Sequence, residues 1–412
     1  MKGIYYDLKI YKAALKKVGL ARTYSMIKYK EDWLDPEIRY PRQVKVRSLM
    51  SGICASDLHQ IEVDIPYVAT ILAQRENPFP MGHEVVGIVT EVGVEVEKLK
   101  VGDKVVFSPI ANCKAYGFEE CPSCKEGDYQ SCLTLAGLGD GSELEDEYGG
   151  QMAFGGFGGG GFSEHFLAFE GQLTKVDPSV PNDIAVLAEP FSVALHAVLK
   201  RVPRDDETAI VIGAGIIGLM MIASIRALGS KCKIITMARH PAQVEAAKRL
   251  GSDIVIIDRS EEGLYDKIAD LTDGALFKPA IGKRVLFGNR GPDVIFDSVG
   301  SGETIDDALH LVRTNGTIVI VGMAFGGMSK IEWALQIYKE LDVLGSMMHG
   351  REVHEGREID TFDLAIDFLK EYGDTFKGLV THRFPISEYK NAFSVASNKG
   401  KHDAIKVVFD YT

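Results

Sequence analysis

The stretch "TAIVIGAGIIG", Thr208 to Gly218, decides the fold class of this 412-residue chain. Five strand-forming residues, "TAIVI", run straight into Gly213, Gly215 and Gly218, spaced G-x-G-x-x-G, and the apolar helical pattern "IIGLMMIASIRALG" follows. The spacing alone is weak, but a strand before it and a helix after it are the context that phosphate binding requires. The first glycine permits the tight turn, the second lets backbone approach a pyrophosphate, and the third lets helix pack on strand. The helix N-terminus then offers unpaired N–H groups and the positive end of its dipole. Gly213, Gly215, Ile216, Ile217 and Gly218 are therefore predicted to contact a dinucleotide.

On either side of this turn the chain alternates strands and helices. "TAIVIG", "CKIITM", "DIVIID", "DVIFDSVG", "GTIVIVGM" and "LDVLGS" read as strands, with helical patterns such as "PAQVEAAKRLG" and "ETIDDALHLVR" between them. Six strands joined this way describe a doubly wound parallel sheet of the Rossmann type. In such sheets the second strand usually ends in an acid that binds the adenosine ribose. Here it ends in Ala238, Arg239 and His240. A small neutral residue removes repulsion against a 2′-phosphate, and arginine supplies a planar charged donor, so NADP is expected over NAD. Val321 and Met323, at the end of "GTIVIVGM", are further candidate cofactor contacts.

The part before residue 191 has a different texture. "QVKVRSLMSGI", "HEVVGIVTEVG", "GDKVVFSPI" and "FSEHFLAFEG" are short strand-like runs broken by Gly, Asp and Pro. After Ser346 a helical pattern, "TFDLAIDFLKEYG", precedes a closing strand, "AIKVVFDY". The expected organisation is a β-rich domain over 1–190, a nucleotide-binding domain over 191–347 and a return to the first domain over 348–412. Leu133 to Gly161, Ala275 to Arg290 and His349 to Asp360 read as added loops. The first of these contains "FGGFGGGGF".

Composition narrows the function. A hydrophobic share of 46% with 25% charged residues is ordinary for a globular protein. The formal charge of −12 opposes nucleic-acid and anionic-membrane partners, whose phosphates would be repelled. The first residues hold no apolar core of signal-peptide length and no run approaches a membrane span, so a cytoplasmic protein is expected. In that setting the six cysteines point to metal or catalysis before disulfides.

Four of those cysteines fall in one loop, about 110–135. "CPSCKEGDYQSC" contributes Cys121, Cys124 and Cys132, and Cys113 lies seven residues upstream of Cys121. Such a set fits a closed tetrahedral thiolate zinc site. Cys54, in "GICASDLH", stands apart, as do His83 and Glu84 in "MGHEVVG" and Glu189 in "LAEPFSVALHA". One Cys, one His and one or two Glu could hold a zinc with a coordination position left open for substrate. Cys232 lies in a predicted strand and reads as core.

"GICASDLH", "GHEVVGIVTEVG", "VGDKV", the cysteine loop, "EPFSVALHA", "GAGIIG" and "THRFP" together resemble the zinc-dependent medium-chain dehydrogenase/reductase family of alcohol and polyol dehydrogenases. The resemblance runs in order from about residue 40 to the C-terminus. It implies a GroES-like catalytic domain joined to a Rossmann domain, and a homodimer or homotetramer. The activity implied is hydride transfer between NADP(H) and a secondary alcohol or polyol, or the matching ketone. The glutamate of "EP" is similar to the polyol, glucose and threonine dehydrogenase branches. Zinc-free quinone and enoyl reductases share the fold, but have no reason to hold Cys54, His83 and Glu189 together. The first loop cysteine is displaced by an insertion, and the added loops exceed the family minimum.

The resemblance also assigns roles. It makes Cys54 and His83 ligands of a catalytic zinc, with Glu84 and Glu189 as ligand or immediate neighbour, and Cys113, Cys121, Cys124 and Cys132 ligands of a structural zinc. Ser56 would take the alcohol proton and His59 would carry it to solvent. Asp57 would orient a ligating imidazole.

Overall fold

The computed structural model describes residues 1–7, 9–20, 23–63, 79–134, 160–257, 260–323 and 330–412. Two compact units emerge: Met1–Glu189 with His349–Thr412, and Pro190–Met348. No helix among the described residues is long and apolar enough to cross a membrane.

The first unit is built on a seven-stranded sheet. Its strands run in the order Val380–Phe384, Lys406–Asp410, Gln43–Gly52, Glu84–Val92, Lys104–Phe107 and Leu173–Lys175, and His165–Phe169 also pairs with Gln43–Gly52. Valines at alternate positions, Val44 and Val46, Val85 and Val89, turn to one face and close a core with Phe107 and Phe166. A second core gathers Ile53, Phe162, Phe393 and Phe409 with Ile4 and Tyr6. Ile4 and Tyr6 belong to a small antiparallel sheet, Gly3–Tyr6 between Ile27–Lys30 and Phe79–Pro80, which the sequence patterns above do not reveal.

Register in the large sheet gathers the candidate site residues. Gly52 pairs with Glu84 on one side and with Val408 on the other. Cys54 therefore leaves the sheet two residues beyond Gly52, while His83 enters it immediately before Glu84. Residues separated by hundreds of positions meet at one end of three adjacent strands.

The second unit holds a wholly parallel six-stranded sheet. Its order is Ile254–Ile256, Lys233–Met237, Thr208–Ile212, Val294–Asp297, Thr317–Ile320, Asp342–Gly345. All six expected strands are present, in the 3-2-1-4-5-6 order of doubly wound nucleotide-binding folds. The central strands read as unbroken apolar runs because both faces are covered. Ile210, Ile235, Ile295 and Ile318 pack with Leu264 and Leu309 from the flanking helices. The helix Ile216–Ala227 is buried around most of its circumference, so its sequence is apolar without a marked stripe.

Two of the stretches read as loops are hairpins. Leu276–Phe277 pairs with Val285–Leu286, and Arg351–His354 pairs with Arg357–Asp360. Strands of two residues, in the first hairpin, and of four mostly charged residues, in the second, lack the apolar signal that marks a buried strand. The remaining stretch, 133–161, lies almost entirely outside the described residues.

Candidate active site

Cys54 is the N-cap of the helix Ala55–Glu62, in extended conformation. The Asp57 backbone N–H donates to its sulfur, and its own N–H donates to Asp57 Oδ2 at 2.8 Å, a reciprocal capping box with cysteine in the usual serine position. Cap formation thus fixes the thiol and the carboxylate together. One ligand atom from each of Cys54, His83 and Glu84 lies within 4.8 Å of the others. Glu189, in the first turn of the helix Ala188–Lys200, stands outside this set but acts electrostatically on His83.

The electrostatics favour a cation. Burial opposes the His83 imidazolium, yet the Asp57 carboxylate and the Cys54 sulfur more than offset it and raise its pKa. His83 Nδ1 is 3.7 Å from Asp57 Oδ1, so Asp57 faces the ring and can hold its orientation. Burial pushes the carboxyl of Asp57 up to about 6 and that of Glu189 up to about 7, with His83 pulling both the other way. A thiol, a histidine and carboxylates converging in a buried place where positive charge is stabilised fit a zinc ion.

Sequence patterns missed one participant. Lys406, fully buried, forms an ion pair with Glu84 and donates to Ile53 O at 3.0 Å. Burial opposes its charge, and Glu84 and Cys54 outweigh that and raise its pKa. Gly52 makes room, because a Cβ there would run into the Glu84 carboxylate and lie 2.7 Å from Lys406 Cε. Lys399 is a second cation near the site, its pKa lowered by burial and by Lys406. A lysine inside the otherwise apolar run "AIKVVF" is the available signal for Lys406.

Ser56 and His59 lie one turn apart on the same helix, three residues apart and so on one face. Ser56 Oγ is buried and has no hydrogen-bond partner among the described residues. His59 is half-buried. A buried hydroxyl left open is costly unless a ligand completes it.

The four remaining candidate ligands form the second cluster. Cys113, Cys121, Cys124 and Cys132 place their sulfurs within 4.8 Å of one another, and all six cysteines of the chain are free. Cys113 begins a one-turn helix capped by Asn112, and Cys121 precedes the Pro-led turn Pro122–Lys125. Burial opposes ionisation of Cys121, but the N–H groups of Leu133 and Cys124 outweigh it and bring its thiol down to about 6. Backbone donors aimed at sulfur in a buried four-thiol set suit a thiolate metal site. Cys232 is fully buried, as a core residue.

In the second unit, Gly213 takes φ +90°, which lets the chain turn from strand to helix. A Cβ at Gly218 would strike the Gly213 carbonyl, whereas a Cβ at Gly215 would meet nothing within 4 Å. Gly218 is thus required by packing. Gly215, the N-cap of the helix Ile216–Ala227, borders open space into which a pyrophosphate would fit. Ala238 is buried at the end of the second strand, and Arg239 is exposed, with no side-chain partner among the described residues. His240 caps the helix Pro241–Arg249. Val321 is half-buried and Met323 exposed at the end of the fifth strand.

The ion pair yields a direct expectation. Lys406→Met would leave Glu84 buried without a counter-charge and should cost about 3–5 kcal/mol, measured by denaturant unfolding of metal-free protein. Adding Glu84→Gln should recover most of the loss; a double variant no more stable than the single one would contradict the pairing.

Comparison with known proteins identifies the family. An alcohol dehydrogenase GroES-like domain model matches residues 40–178, and a zinc-binding dehydrogenase model matches 217–371. An L-idonate 5-dehydrogenase of Vitis vinifera is 27% identical over 373 residues, covering 90% of this chain and 88% of that protein. A sorbitol dehydrogenase of Bacillus subtilis (strain 168) is also 27% identical, covering 90% and 91%. The galactitol-1-phosphate dehydrogenase structure from Escherichia coli shares the fold, with a TM-score of 0.72 at 22% identity over 100% of both chains. With a GroES-like segment and a zinc-binding dehydrogenase segment matched in sequence, the chain belongs to the zinc-dependent medium-chain alcohol and polyol dehydrogenases.

Proposed function

We propose that the protein oxidises a secondary alcohol or polyol with NADP, and reduces the matching ketone in reverse, using a zinc held at Cys54, His83 and Glu84. The observation that carries this reading is the convergence of those three ligand atoms within 4.8 Å beside the open, buried hydroxyl of Ser56. The relatives named for idonate and sorbitol support a polyol-like substrate. When bound, zinc supplies a Lewis acid for the substrate oxygen and NADP a hydride acceptor.

The chain's own residues do the rest. Ser56 Oγ accepts the hydrogen bond of the substrate hydroxyl and takes up its proton while giving its own proton onward towards His59, so the serine stays neutral. His59, one turn on and half-buried, passes the proton to solvent. Asp57 keeps the His83 ring turned so that its other nitrogen serves as ligand. Glu189, its carboxyl pushed up by burial, adds negative charge near His83 only when ionised, and Lys406 balances Glu84 so that the site is not crowded with uncompensated carboxylates. The four-cysteine cluster holds a second zinc that is structural.

Zinc analysis of the active protein should give two ions per chain. Cys54→Ser should lose one of them and lower kcat/KM by more than the ~10–100-fold typical of losing a metal's outer partner. Active protein without zinc would refute the reading.

Cofactor choice follows from the end of the second strand. The 2′-phosphate carries about −1.5 to −2 charges at neutral pH, by analogy with other phosphate monoesters. Buried Ala238 offers it no repulsion, and exposed Arg239 can form charge-assisted bonds worth about 1.5–3 kcal/mol. The expected preference in kcat/KM is about tenfold to hundredfold for NADP over NAD. Ala238→Asp with Arg239→Leu should move it towards NAD, and a wild type that favours NAD would contradict this assignment.

A further inference from the structure

We propose that the hairpin Arg351–His354/Arg357–Asp360 is a clamp on the four-cysteine lobe, and that it sets how slowly the lobe gives up its metal. The inference rests on the reading of that lobe as a zinc site. It goes beyond the ligands to the segment, distant in sequence, that holds them closed.

The hairpin reaches the lobe at points next to or between its cysteines. Lys114, which follows Cys113, donates from Nζ to Asp360 Oδ2 at 3.0 Å. Glu120, which precedes Cys121, is paired with both terminal nitrogens of Arg351. Between Cys124 and Cys132, Gly127 O accepts the Arg351 backbone N–H at 3.0 Å, and the buried Tyr129 hydroxyl donates to Asp360 Oδ2 at 3.1 Å. Asp360 is itself anchored: its Oδ1 accepts the Phe362 N–H, and burial of its carboxylate is outweighed by His349 and Lys114. The base of the hairpin is closed by Thr361, whose N–H and hydroxyl both donate to Gly350 O.

His349 completes the anchor, with Nε2 2.8 Å from Ser108 Oγ and Nδ1 3.5 Å from Asp360 Oδ1. This Ser–His–Asp series is a tether and not a nucleophile. Ser108 donates its N–H to Gln172 O, proline follows it, and its side chain is buried, so no N–H pair is left to stabilise an oxyanion. The lobe itself consists of one-turn helices and a 3₁₀ turn. Segments with so little regular structure open locally at low cost unless tied down elsewhere. A closed thiolate site loses its metal through such openings, because a competing chelator must reach the ion.

The test follows zinc transfer from the fully loaded protein to a chromophoric chelator, with alkylation of Cys113, Cys121, Cys124 and Cys132 read peptide by peptide. Asp360→Asn and Arg351→Gln should each speed zinc loss and alkylation in the lobe by about tenfold or more. The zinc at Cys54 should leave at its wild-type rate. Glu120→Gln, a change on the lobe side, should match Arg351→Gln, and the two together should add little. Should Asp360→Asn fail to fold, the partly exposed Arg351–Glu120 pair still decides the question. Lobe zinc that leaves all these variants at the wild-type rate would overturn the clamp while leaving the zinc site standing. A wild-type lobe whose four thiols alkylate freely and hold no zinc would overturn the site, and the clamp with it.

Discussion

The pairing of Lys406 with Glu84 is the contact on which the catalytic half depends. It joins the last strand of the chain to a strand near its beginning, with Gly52 of the strand between them left bare to accommodate both side chains. Taking two charges out of water costs several kcal/mol each, and mutual attraction returns that only when geometry and further hydrogen bonds are good. Here the lysine also donates to Ile53 O, one residue before Cys54. An apolar pair of similar volume would hold the sheet as well. The charged pair does more, because it brings a carboxylate to the candidate metal ligands Cys54 and His83 and neutralises it in the same step.

From that contact outward, each functional group is placed by an ordinary structural device. A helix cap sets Cys54 and Asp57, a strand start sets His83 and Glu84, and a first helical turn sets Glu189. In the second unit one left-handed glycine and one glycine without space for a Cβ shape the nucleotide turn. The chemistry is therefore carried by positions that the fold already treats as special. A cap or a strand end leaves side chains projecting from rigid backbone, which is what a reacting group needs.

Much of this was legible in the sequence for a physical reason. A buried parallel strand must be apolar throughout, and a phosphate turn must be glycine at fixed steps, so "TAIVIGAGIIG" could hardly encode anything else. The cysteine spacing was legible because four thiols must fit around one ion. Lys406 was not, because nothing local distinguishes a buried paired lysine from one on a strand's solvent face; its partner is fixed only by tertiary register. The clamp hairpin read as a loop because its strands are four residues long and charged. The strand Gly3–Tyr6 escaped notice because its partners, Ile27–Lys30 and Phe79–Pro80, are distant and short. Glu189 reads from sequence as ligand or immediate neighbour of a metal; it acts electrostatically on His83 and lies outside the cluster of Cys54, His83 and Glu84.

On the proposed reading, an open metal site with a single cysteine, Cys54, exists apart from the closed lobe. Cobalt exchanged for zinc makes the two sites visible, since thiolate–cobalt charge-transfer and ligand-field bands report the donor set and its geometry. Titrating the cobalt protein with a ligand that competes with alcohol substrate should change one part of the spectrum and leave the four-thiolate part unchanged. In Cys54→Ser the responding part should vanish and the rest persist. A responding band that survives the substitution, or a wild-type spectrum from four thiolates alone that no such ligand perturbs, would contradict the account.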